Sequence, residues 1–70
     1  MKEITLKEVT QSFMKVLMSV NVQSHNIKAI TQMFWDNPPQ MLELVEWIKN
    51  NPKATESEII RKAVNIHLAQ

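Results

Sequence analysis

Glycine is absent from this 70-residue chain, and so is cysteine. Average glycine usage of about 7% would give roughly five. Neither the phosphate-cradling P-loop nor the dinucleotide fingerprint can be written without glycine, which removes most nucleotide-binding classes. Turns that need positive φ must then use Asn, which tolerates the left-handed region better than most residues. Asn21, Asn37, Asn50 and Asn51 stand where such turns are wanted. Without cysteine there is no disulfide and no thiolate metal site. Only His25 and His67, far apart in the chain, remain for another transition metal, so no metal or cofactor is expected. No apolar run approaches the roughly 18 residues of a membrane span. Met1-Lys2-Glu3 leads into a charged periodic segment, unlike a signal peptide. The chain therefore reads as soluble and cytoplasmic, with no membrane partner.

Charge is also sparse, at 21% of residues with a formal net charge of +1. Seventy residues make one small domain, spanning 1–70. A chain of this length hides only about 60% of the surface its unfolded form exposes, so its intrinsic stability is small. With disulfides and metals excluded, help from a second chain is the remaining candidate, and a homodimer is expected.

What is present is helix grammar. Pro52 disfavours helical dihedrals at Asn51 and offers no N–H, so an apolar-periodic segment arriving at Ile48 ends about there. Thr55 followed by Glu58 is the capping-box pattern, which starts another helix. Thr5-Leu6-Lys7-Glu8 repeats that pattern, and Leu6, Val9, Phe13, Val16 and Val20 follow at three and four spacing. Ile4 and Val9 are placed for a hydrophobic staple, while Met14, Leu17 and Met18 widen the stripe beyond what one neighbour covers. Ser24 is an acceptable N-cap for a helix carrying Ile27, Ile30 and Phe34, although Thr31 to Trp35 also suits an extended strand. Asn37 as cap and Pro38 as first helical residue open a third helix, with Met41, Leu42, Leu44, Val45 and Ile48 as its apolar stripe. The fourth buries Ile59, Ile60, Ala63, Val64 and Ile66 or Leu68. The expected fold is all-α, a bundle of four short helices at Thr5–Val20, His25–Asp36, Pro38–Asn50 and Glu56–Leu68, self-associating through the first.

Catalysis has little to work with. His25 and His67 are each isolated from a Ser-plus-carboxylate arrangement, and Glu43 and Glu46 read as a solvated helix face. Neither an enzyme nor a small-molecule substrate is expected. Met41, Trp47 and Phe13 are the candidate partner-binding anchors, because large apolar side chains carry most interface energy. Charge is unevenly spread: Asp36, Glu43 and Glu46 are the charged residues between Ala29 and Ile48, whereas Lys49, Lys53, Arg61 and Lys62 outnumber Glu56 and Glu58 thereafter. Lys53, Arg61 and Lys62 are the candidate nucleic-acid contacts.

Pro38-Pro39-Gln40-Met41-Leu42-Glu43-Leu44-Val45-Glu46, followed after a loop by Ser57-Glu58-Ile59-Ile60-Arg61-Lys62-Ala63-Val64, resembles the two helices of ribbon-helix-helix repressors. The resemblance covers about thirty residues and implies a dimer whose strand, falling on Ala29 to Asp36, would enter the DNA major groove. That stretch offers Thr31 and Gln32 but no Arg or Lys. Asn51 to Ile59 is similar to the start of a helix-turn-helix. The function expected first is a small non-enzymatic regulatory or adaptor protein acting through helix-face protein contacts. The alternative is a dimeric DNA-binding transcriptional regulator of ribbon-helix-helix or helix-turn-helix type.

Overall fold

The computed structural model describes residues 5 to 69, apart from the side chain of Leu6. The Ile4–Val9 staple and the place of Leu6 in the apolar stripe lie outside the described residues. The chain forms α1 (Leu6–Ser19), α2 (Ser24–Met33), α3 (Pro38–Asn50) and α4 (Glu56–Leu68), with no strand among the described residues. The all-α expectation holds. α3 and α4 have the expected bounds, α1 stops one residue early at Ser19, and α2 begins at Ser24 and ends at Met33 rather than Asp36.

The caps explain these bounds. Thr5 Oγ1 accepts from the Glu8 amide at 3.2 Å. Thr55 and Glu58 complete a reciprocal capping box at α4, in which Thr55 Oγ1 accepts from the Glu58 amide at 3.2 Å and Glu58 Oε1 from the Thr55 amide at 2.9 Å. Asn37 caps α3 by accepting from the Gln40 amide, with proline in the first turn where no N–H is needed. α1 ends in a Schellman motif: the Asn21 amide donates to Met18 O and the Val22 amide to Leu17 O, both at 3.1 Å, with Asn21 at φ 65°. Asn21 is thus one of the expected positive-φ asparagines. Among the described residues the other such position is Asp36 at φ 63°; Asn37 and Asn51 are caps at φ −134°, and Asn50 is helical.

The α2 cap differs from expectation. Ser24 is already helical, and the cap residue Gln23 makes no side-chain capping bond. Glu56, from the first turn of α4, supplies the acceptor instead: its Oε2 takes the Gln23 amide and the Asn26 side-chain amide, each at 2.8 Å. A second tie runs from Gln40 Nε2 in α3 to the carbonyl of Ile66 near the end of α4, at 3.1 Å. Both ties reach helix-end groups, the Gln23 amide at the start of α2 and the Ile66 carbonyl in the last turn of α4, and they hold α4 to its two neighbours.

α1 packs on α2 and α3, and α4 on the same two, so the helices close a ring in the order α1, α2, α4, α3. Phe13, Leu17, Ile30, Phe34, Met41, Leu44 and Ile59 fill its centre with almost no exposure. The Phe34 ring meets Phe13 edge to face at 5.9 Å and His67 at 6.3 Å, a favoured geometry for aromatic pairs. Thr31 is buried, and its hydroxyl is satisfied by donating to the Ile27 carbonyl at 2.7 Å.

Candidate functional site

The stripe on α1 is wider than α2 and α3 together cover, which leaves an open apolar groove between α1 and α3. Its volume is about 340 Å³. Val9, Phe13 and Val16 form one wall, Met41, Leu42 and Val45 the other, with Glu8, Ser12 and Lys49 on the rim. The i, i+3/i+4 spacing on both helices produces this: residues four apart lie above one another, so each wall is a continuous row. Phe13 and Met41 are buried and make the floor, whereas Leu42 stands 56% exposed on the lip. α1 and α3 start at the same end of the bundle, since Lys7, Thr10 and Gln11 share a hollow with Trp35, just before the α3 cap. Glu8 therefore marks one end of the groove and Lys49 the other.

The residues singled out from sequence divide accordingly. Phe13 and Met41 belong to the core, and Leu42, one residue from Met41 and expected only as a member of the apolar stripe, is the side chain left exposed beside them. Trp47 is half-buried on the far side of α3, against the core and beside a hollow with Asn51, Pro52 and Lys53. Lys53 and Arg61 are exposed and Lys62 is half-buried. Asp36, Glu43 and Glu46 are all exposed. The structure does not bring Met41, Trp47 and Phe13 together on one accessible face; it brings Phe13 and Met41 together beneath one.

Two carboxylates among the described residues have displaced titrations, and both serve helix starts. Glu56 is held below the ordinary carboxyl value of 4.5 by the Asn26 side-chain amide, then by the Gln23 amide, with a smaller contribution from His25. Glu58 is lowered by the Thr55 amide and hydroxyl, and less by Arg61. Among the described residues no group of three or more His, Cys, Asp or Glu is placed to hold a metal ion. None of the described helices is long and apolar enough to cross a membrane. His25 is exposed, and His67 is half-buried with its ring against Phe34. Comparison with protein-family models, curated proteins and solved structures finds no match to this chain.

Proposed function

We propose that this chain is a small non-enzymatic regulatory or adaptor protein acting through helix-face protein contacts, and that the α1–α3 groove is where two copies of it meet. The observation that carries this reading is Leu42, more than half exposed at the lip of an open groove floored by Phe13 and Met41. An apolar patch that continues from the surface into the core is the usual mark of a contact site.

The rim charges favour a second copy as occupant. With Glu8 at one end and Lys49 at the other, two grooves stacked face to face with their helices antiparallel set each acidic end over a basic one. Stacking them parallel would oppose Glu8 to Glu8 and Lys49 to Lys49, a like-charge pairing that interfaces avoid. An isologous contact of this kind closes on itself and stops at two copies.

Sedimentation equilibrium tests it. The wild-type chain should be dimeric at micromolar concentration, and Leu42→Glu should give an 8.2 kDa species with unchanged helical circular dichroism, because the replaced side chain is exposed. A wild-type monomer throughout the accessible range contradicts the proposal. The DNA-binding alternative ranks second because exposed Asp36, Glu43 and Glu46 repel phosphate. In its ribbon form it would also require helical α2 to become a strand.

A further inference from the structure

We infer that the outer seam between α1 and α2 is a second docking surface, distinct from the groove, and that its partner is an acidic amphipathic helix of another protein. Three of the largest exposed apolar side chains among the described residues gather there: Met14 at 37%, Met18 at 63% and Trp35 at 64% exposure. On α1, Lys7, Gln11, Met14 and Met18 recur at four, three and four spacing and so lie in one row. α2 runs back along that row. His25 and Lys28 stand beside Met14 and Met18 around a hollow of about 400 Å³, and Trp35 stands beside Lys7 and Gln11 around another of about 260 Å³. At about 1.5 Å per residue, Lys7 to Met18 spans roughly 16 Å, the length of three helical turns.

Charge decides what covers it. Lys7 stands at one end and Lys28 at the other, and among the described residues no Asp or Glu lines either hollow. Asp36 follows Trp35 in sequence but lines neither. The α1–α3 groove, by contrast, carries both signs on its rim. A surface that is apolar along its middle and cationic at its ends complements a helix with an apolar stripe between carboxylates. Methionines suit such a role, since unbranched thioether side chains repack around a partner's contours. The concavity favours a helix over an anionic bilayer, because side chains of a helix can fill two hollows whereas a bilayer requires a flat or convex apolar face.

The test uses a fluorescein-labelled synthetic helical peptide of about four turns, with a Leu/Phe stripe flanked by Glu, and the same peptide with Gln in place of every Glu. Binding is read by fluorescence anisotropy. The Glu peptide should bind the wild-type chain and bind Leu42→Glu equally well, which separates this surface from the groove. The Gln peptide should bind at least roughly tenfold more weakly, and Lys28→Glu and Trp35→Ala should each weaken the Glu peptide by about as much. Equal binding of the two peptides, no binding of the Glu peptide, or loss on Leu42→Glu with none on Trp35→Ala would overturn the inference. So would tighter binding to phosphatidylserine vesicles than to the peptide, if Trp35→Ala abolishes it.

Discussion

Replacing Phe34 should do more damage than any other single change, because its ring closes the centre of the bundle from the turn between α2 and α3. It is fully buried and touches Phe13 and His67 edge to face. A domain of 70 residues at roughly 0.05–0.15 kcal/mol per residue has about 3.5–10 kcal/mol in total. Phe34→Ala, at about 4 kcal/mol for a truncated core aromatic, removes a large part of that. Phe34→Leu keeps most of the volume, and its cost should be roughly 2 kcal/mol, the lost ring carbons and edge contacts together. That corresponds to a fall of about 8–16 °C in melting temperature. At fixed protein concentration, urea unfolding followed at 222 nm gives the free energies and a thermal scan at the same wavelength gives the melting temperature. A double-mutant cycle with Phe13→Leu should return a coupling of about 0.5–1.5 kcal/mol. A Phe34→Leu midpoint within error of wild type, or zero coupling with Phe13, would refute the packing account. Phe13 also floors the groove, so a loosened pair should weaken self-association as well.

Thr55→Ala should cost roughly 1 kcal/mol, because the Glu58 amide loses its acceptor; an unchanged urea midpoint would show that the hydroxyl does not cap α4. Glu56 and Glu58 have lowered folded pKa values, so the stability they contribute is fully present above the ordinary value of 4.5 and is lost as pH falls through the folded values. Glu56→Gln should make the chain less stable near neutral pH and flatten its loss of stability in acid, and wild-type pH dependence in that variant would refute the α4-to-α2 tie. If DNA is bound, Arg61→Ala with Lys62→Ala should lower affinity for all sequences alike and flatten the salt slope. The adaptor reading expects no such binding, and sub-micromolar duplex affinity at physiological salt that this pair abolishes would reverse the ranking.

Local chemistry was legible and cross-chain geometry was not. Thr55 with Glu58, and Asn37 with Pro38, announce α4 and α3 because every partner lies within three residues, and both helices have the expected bounds. The start of α2 could not be read that way. Its acceptor is Glu56, which reaches Gln23 from 33 positions along the chain, so Ser24 looked like the cap by composition alone. The sequence sets its end at Asp36, just before the Pro38-Pro39 stop, whereas in the structure the helix ends at Met33, Asp36 turns to positive φ and the Asn37 amide closes onto the Phe34 carbonyl at 2.9 Å. The site was half visible. Periodicity gave the wide stripe on α1 and the apolar row on α3, but which members sink and which stay at the lip depends on the ring order of the helices. Hence Met41 is buried and its neighbour Leu42 exposed. The α1–α2 seam left no mark in the sequence beyond the extra methionines, since Trp35 reaches it from the turn that follows α2 and not from the helix's own apolar spacing.

The groove is tested most directly by following backbone amide shifts in a dilution series of the ¹⁵N-labelled chain. Self-association through α1 and α3 predicts concentration-dependent shifts at Val9, Ser12, Val16, Leu42, Val45 and Lys49, and no change at Lys28 or Trp35. The Leu42→Glu spectrum should match the dilute wild type away from the mutated site. Shifts confined to the α1–α2 seam or to α4, or a spectrum that does not move with concentration, would contradict the account.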